Sequence, residues 1–566
     1  MQKSFAEAFP DVSVTIRDDV VFLDGEMSDY EQVVAAGFLA TEAKGEGVVN
    51  RIKLRGHVET PMRMAPIVDQ SLEGTEVDVL IIGGGIIGCA IARELSKYEL
   101  KTLLVDKESD VATHASSRND GVIHIGIDLK VKTEKSRYLR QAVPLYKQLT
   151  DELKVPYHRN GQIIAFSKKW MRHFMFLLNR KAKHRQIYGM EIWKHDRLLE
   201  EVPSIGNNVE FAAFFPDGAT ICPYETVIAL AENAVQNGVK ISLDTAVTGM
   251  KVLDDRIVEV STNRGTIRPF IVINAAGTFS DKVAAMANDQ FFTIHPRKGI
   301  ELILDKKARG RATNRSISMY RGASDRQKDH SKGGGVIPTV DGNVLIGPTA
   351  YETPEREDFS TDSESVRQLF ERHKETLPDL HPSDVITYFA GIRAATYEED
   401  FIVRIGKWTK NIIHAAGIQS PGLTAAPGIA QEIAKLVAIL NGGSLNVNPF
   451  FDPIRKVTMP TNHMDAATRE QLIKSNPDYG QIVCRCEEIS RGEIIDALHR
   501  PLVVPTIDGI KRRVRAGMGR CQGGFCGPLV TQIIHEELKI DYRDINKKGH
   551  GPLILKGTKD DTYGNL

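Results

Sequence analysis

Cysteine is scarce in this chain, with six residues in 566. So few cannot staple so long a polypeptide, which excludes a disulfide scaffold. Charge of one sign is also missing. Lys plus Arg and Asp plus Glu each total 73, so no whole-molecule basic field exists and a nucleic-acid partner is not expected. No apolar run reaches the roughly eighteen residues of a membrane-crossing helix. The longest, Val77 to Ala92, is interrupted by Asp78 and by glycines. The N-terminal MQKSFAEAFPDV lacks the apolar core of a secretory signal. Repeats and low-complexity tracts are absent. These absences lead us to expect a cytoplasmic protein, with peripheral contact at the inner membrane face left open.

The apolar share of 42% supplies two or three cores at roughly 100–200 residues per domain. Near the N-terminus, VSVTI and VVFLDGEM read as strands with a turn at Arg17-Asp18-Asp19. DYEQVVAAGFLATEA follows as a helix and VVNRIKLRG as a last strand. This pattern, with its Leu23-Asp24-Gly25 turn, resembles the BON module, which implies a small α+β unit over residues 1–60. Residues 61–76 read as a linker. An α/β unit spans 77–448, a second connection 449–478, a cysteine-bearing domain 479–545 and a tail 546–566.

The strand VDVLII runs into Gly83, Gly85 and Gly88 in G-x-G-x-x-G spacing, then a helix, then the strand KTLLVD ending in Asp106. Gly83 permits the tight turn, Gly85 admits a pyrophosphate to the backbone, and Gly88 lets helix and strand pack closely. The pyrophosphate then sits over a helix N-terminus, and Asp106 is placed for the ribose hydroxyls. Only one such fingerprint occurs, which disfavours a second nicotinamide site. FIVINAAGTFSD, with Gly277, and NIIHAAGIQSPGLTAAPGIAQEIAKLV, with Gly417, Gly422 and Leu423, bring a later strand and helix back to the cofactor. That helix N-terminus suits the reduced ring of FAD.

GGGIIG, SSRNDGVIHIGI, INAAGTFSD, HPRKGIELIL, VIPTVDGNVLIGPTA, FAGIRAATYEEDFIV and GIQSPGLTAAPGIA together resemble the FAD oxidoreductases of the D-amino-acid-oxidase superfamily. Within it the chain is most similar to the flavin-linked glycerol-3-phosphate dehydrogenases and the L-2-hydroxyglutarate oxidases and dehydrogenases. The resemblance implies a Rossmann-type FAD-binding domain with a mixed-sheet substrate domain. It places Ser117 and Arg118 at the FAD phosphates and His124 beside the ring. His124 and Lys298 are alternative bases for the hydroxyl proton. Arg393, at the end of the apolar strand VITYFAGIR, is costly to bury without an anion and offers a fork to phosphate or carboxylate. Arg321 is a second anion partner, with Lys298 as a third. Cys222 reads as a buried apolar cysteine rather than a flavin attachment point.

Cys484-x-Cys486 and Cys521-x4-Cys526 form two pairs. C-x-C is tight for one tetrahedral zinc ion, whereas a two-iron cluster accepts it. Ser490 and Glu493 have capping-box spacing, and a further helix is expected from Gly527-Pro528. Cys526 then lies at a helix N-terminus, where the dipole favours thiolate. The segment resembles the bacterioferritin-associated-ferredoxin-like domain, a helical 2Fe–2S unit fused to anaerobic-type glycerol-3-phosphate dehydrogenases. Lys511, Arg512, Arg513, Arg515 and Arg520 lie between the pairs. They are open to four readings: cations for an anionic cluster, a solvated face, a dock for an acidic partner, or, most remotely, a nucleic-acid contact.

The expected activity is FAD-dependent oxidation of a secondary alcohol in a small anionic substrate. Glycerol 3-phosphate is the first choice, and a 2-hydroxy acid such as L-2-hydroxyglutarate is the alternative. A non-catalytic electron-transfer or sensor subunit is the reading from another class. The 2Fe–2S cluster implies an outgoing partner, either an electron-acceptor protein or a quinone-linked subunit.

Overall fold

The computed structural model describes residues 5, 7–320, 334–457 and 460–555. Its centre is a parallel sheet in the order Lys240–Ser242, Thr102–Val105, Thr75–Ile82, Gly265–Asn274, Ile412–Ala416. Residues 79–82, 102–105 and 271–274 of these strands are buried because both faces are covered there. Helices Ile86–Leu95, Pro223–Gln236 and Gly422–Leu440 cover one face. The antiparallel strands Val247–Leu253 and Arg256–Thr262 and the helix Ser280–Met286 cover the other.

A second, mixed sheet contains nine strands among the described residues. Its longest pair is Ile294–Leu304 against Val385–Thr396, antiparallel from Ile294↔Thr396 to Leu304↔Val385. Helices His195–Glu201 and Ser363–Lys374 pack on its outer face. Its inner face looks across a cavity of about 850 Å³ at the Rossmann turn.

Strands Val12–Arg17 and Val20–Met27 form the expected N-terminal hairpin. Asp18 and Asp19 make its turn at φ 47° and 61°, the left-handed values a two-residue hairpin favours. Helix Tyr30–Ala40 follows, its Asp29 cap accepting the Glu31 N–H at 2.9 Å. The last strand is split into Gly47–Asn50 and Lys53–Leu54, which pair with one neighbour at separate points.

Two expectations need correction. The stretch 449–478 is more than a connection: it carries helix Ala466–Ser475, and its Arg455 is buried against Glu232 at 2.6 Å. Helix Gly422–Leu440 is also long and apolar enough to cross a membrane, although half of it is buried inside the fold. It was overlooked because Gln431, Glu432 and Lys435 interrupt its apolar run.

Candidate active site and thiolate centre

The glycine turn has the shape its spacing requires. Gly83 has φ 113°, and a Cβ on Gly88 would lie 1.8 Å from the Gly83 carbonyl oxygen. Any side chain there would push helix Ile86–Leu95 off its strand. Gly83, Gly85, Asp106, Arg118, His124, Gly277, Gly422, Leu423 and Arg393 all line the cavity. Asp106 accepts the N–H groups of Gly84 at 2.5 Å and Glu108 at 2.8 Å, and burial raises its pKa. The His124 N–H donates to Thr424 Oγ1 at 3.0 Å, tying the ring-side loop to the first turn of helix Gly422–Leu440.

Several candidates lie elsewhere. The Ser117 hydroxyl donates to the His114 carbonyl at 3.2 Å and does not line the cavity. Its neighbour Ser116 does, accepting the Ile86 N–H at 2.9 Å. Gly417 forms a turn at φ 64° behind the wall. Lys298 is buried against Asp358 at 2.6 Å and Ser360 at 3.0 Å, away from the cavity. The reason is strand parity: successive side chains alternate faces, and Arg297, Gly299 and Glu301 take the cavity side. Arg321 lies outside the described residues.

Arg393 faces the cavity. Its guanidinium lies across Gly299, where an added Cβ would come within 2.6 Å of Nη1. Nη2 donates to the Thr349 carbonyl at 3.3 Å, and among the described residues Nη1 has no partner. Burial lowers its pKa, with Glu301 opposing. Arg297, by contrast, is held by Glu352 and Glu399 at 2.7 Å each. Sequence reasoning missed Glu301, which is 3% exposed and has Oε2 unpartnered among the described residues. Burial, then Asp120, raise its pKa well above the ordinary carboxylate value, with Arg393 opposing. An acid in the apolar run GIELIL raises the same question as Arg393 in VITYFAGIR, and that was the available signal.

The C-terminal domain brings four thiols together as two pairs. Cys486 and Cys521 have sulfurs 3.8 Å apart, close to the edge of a sulfur tetrahedron built on metal–sulfur bonds of about 2.3 Å. Cys484 is held down to about 6 by a hydrogen bond from Cys526, then by the Gly517 and Glu487 N–H groups. Among the described residues only Glu108, His114 and Glu357 gather three ligand atoms within 4.8 Å, and Lys107 pairs with both of those acids there. The four sulfurs are thus too spread for one tetrahedral ion and fit a two-metal cluster, with backbone N–H groups aimed at the sulfurs. The capping box at Ser490 and Glu493 is formed, and helix Gly527–Leu538 starts at Cys526.

Most of the basic run is engaged within the fold, while Arg520 stays exposed. Arg513 is wholly buried and forks onto Asp110 at 2.9 and 3.1 Å, with Arg512 at 3.1 Å from the same carboxylate. Arg515 reaches Asp341 at 2.6 Å and the Tyr224 hydroxyl at 3.0 Å. Arg520 pairs with Asp305 at 3.0 Å. Lys511 turns to Gln522 of its own domain at 3.4 Å. These arginines bolt the cysteine domain to the α/β unit.

Comparison with known proteins agrees with this geometry. Residues 78–436 match the family model of FAD dependent oxidoreductases. The chain belongs to that family. Residues 482–536 match the BFD-like [2Fe-2S] binding domain. The glycerol 3-phosphate dehydrogenase of Caloramator mitchellensis is 36% identical over 481 residues, covering 85% of this chain and 98% of that relative. The glycerol 3-phosphate oxidase of Mycoplasma genitalium is 31% identical, over 66% and 98%. A solved structure of L-alpha-glycerophosphate oxidase from Mycoplasma pneumoniae with FAD bound superimposes with a TM-score of 0.62 at 28% identity, covering 68% of this chain and 99% of that one. This FAD-dependent oxidoreductase therefore uses FAD and a 2Fe–2S cluster, and the glycine cradle and the paired thiols are the residues that would hold them.

Proposed function

We propose that this oxidoreductase converts glycerol 3-phosphate to dihydroxyacetone phosphate and passes the electrons to an acceptor outside the chain. The observation that carries the reading is Arg393: a guanidinium facing the cavity with one nitrogen unpaired, on a strand that brings it beside the Rossmann turn. Its fork binds the substrate phosphate. His124 takes the hydroxyl proton, and Glu301, whose unpartnered Oε2 lies at the same cavity wall, hydrogen-bonds a substrate hydroxyl. Lys298, facing away, has no part. Bound FAD supplies the hydride acceptor and the cluster a one-electron outlet. The relatives named for glycerol 3-phosphate support this substrate.

The division into a BON-like module, a flavin and substrate unit and a cluster domain belongs to the same proposal. So does a cytoplasmic site, supported by the absence of any disulfide among the six cysteines, and an acceptor that is a redox protein or a quinone-linked subunit. The test is turnover of the holoenzyme with a dye acceptor across small anionic alcohols. Glycerol 3-phosphate should give a kcat/KM at least about tenfold above L-2-hydroxyglutarate, the reach of one well-placed anion contact. The reverse order would replace the substrate assignment.

A further inference from the structure

One segment at the cavity wall plays no part in the proposed chemistry. It runs through a 3-10 turn, Lys169–Phe174, and a helix, Met175–His184. Residues 168–188 contain no acid. Lys168, Lys169, Arg172, Arg180 and Lys183 are exposed, and among the described residues no ion pair engages them. Large apolar side chains stand in solvent between these cations: Trp170 at 58% exposure, Phe174 at 51%, Phe176 at 65% and Tyr188 at 62%. Scattered apolar residues on a surface need no explanation, but a cluster of this kind marks an interaction site.

The segment is firmly anchored. Met175 and Ala182 pack inward with Phe166, Phe211 and Phe215. Arg185 Nε donates to the Leu129 carbonyl at 3.1 Å. The outward face is therefore a fixed feature of the fold. Met171, Phe174, Leu177 and Leu178 of the same segment also line the cavity, so the patch borders the active-site chamber.

We propose that residues 168–188 dock the enzyme on an anionic lipid bilayer. The aromatic side chains would sit at the headgroup–acyl boundary, with the lysine and arginine heads on the lipid phosphates. The chemistry of the patch selects this occupant. Basic charge without acid complements an anionic leaflet, Trp and Tyr suit an interface wet on one side, and long cations reach outward past buried stems. A second copy of the chain fits poorly, because a twofold contact sets the patch against itself and its cations against cations. Such seating brings the chamber to the membrane surface.

Full-length holoenzyme, mixed with vesicles of phosphatidylcholine alone or with about one-third phosphatidylglycerol, tests the proposal. Binding to the anionic vesicles should be at least about tenfold tighter and should fall steeply toward 0.5 M salt (roughly), where charges are screened. Tryptophan emission should shift to the blue on binding. The double variants Lys168→Glu/Arg172→Glu and Trp170→Ser/Phe176→Ser should each weaken binding about tenfold or more. Neither pair lines the cavity, so turnover with a soluble dye should stay within about twofold of the parent. The binding readout does not depend on which alcohol is oxidised. Equal affinity for neutral and anionic vesicles, undiminished binding by both variants, or a dimer in sedimentation that the variants dissolve would overturn the proposal.

Discussion

The N-terminal module and the C-terminal cluster domain are both docked on the α/β unit, by opposite means. The N-terminal contact is centred on close apolar packing, with hydrogen bonds and ion pairs around it. Val20 and Val49 pack with Phe291, Phe292 and Ala394, and Gly37 lies so near the Tyr397 ring that an added Cβ would come within 2.2 Å. The C-terminal contact is built on arginines, with Arg513 buried at its centre. Apolar burial stabilises without regard to partner chemistry. A buried ion pair contributes little net stability, yet breaking it is costly. One module is held by packing, whereas the other is held by charge in one permitted orientation, which suits a domain whose cluster must receive electrons.

The largest effect is expected where that charge is broken. Arg513→Ala leaves Asp110 buried without its fork and should cost about 3–5 kcal/mol, seen as a lower unfolding midpoint and faster proteolysis between the two domains. Gly37→Ala overpacks the other contact and should cost roughly 1–3 kcal/mol by the same measurement, without touching cluster content. If Arg513→Ala is the milder change, the contrast fails.

Acid and base should separate the two contacts further. Burial alone would raise the Asp110 pKa, but Arg513 and Arg512 outweigh it and hold it low. Its contribution is therefore present above the unfolded value of about 3.9 and is lost as pH falls through the lower folded value. Glu398 is the reverse: burial raises its pKa, with its own backbone, Thr396, Val48 and His295 opposing. Its contribution is present below the unfolded value of about 4.3 and is lost as pH rises through the raised folded one. Proteolysis at the cluster domain should begin only in strong acid, and Glu398→Gln should flatten the loss of stability that sets in as pH rises past the unfolded carboxylate value of about 4.3. A slope unchanged in Glu398→Gln would remove that residue from the account. The smallest effect is expected at the rim. Lys407→Ala removes a rim pair with the exposed carboxylate of Glu46 at 2.8 Å and should change stability by about 0–1 kcal/mol in thermal unfolding.

The parts of this molecule readable in its sequence were those where one residue type has one physical use. The glycine turn, the capping box at Ser490 and the paired cysteines needed their own residues at their own spacings. Lys298 and Ser117 were misread because neighbours differ only in the face they take. Strand Ile294–Leu304 is buried on both sides almost throughout, so no polar alternation marks the cavity side, and Arg297 and Lys298 look equivalent. The basic run misled for another reason. Arginines in solvent and arginines clamped to Asp110 or Asp341 read alike until the distant acid is placed beside them.

The central claim is that one chain takes electrons from an anionic alcohol at FAD and delivers them to its own cluster. Anaerobic titration of the holoenzyme with glycerol 3-phosphate, followed by visible absorbance and electron paramagnetic resonance, tests it most directly. The account predicts bleaching of the flavin band together with the signal of a reduced 2Fe–2S centre. A flavin that stays oxidised with excess substrate, or a bleached flavin beside a cluster that never becomes paramagnetic, would contradict it.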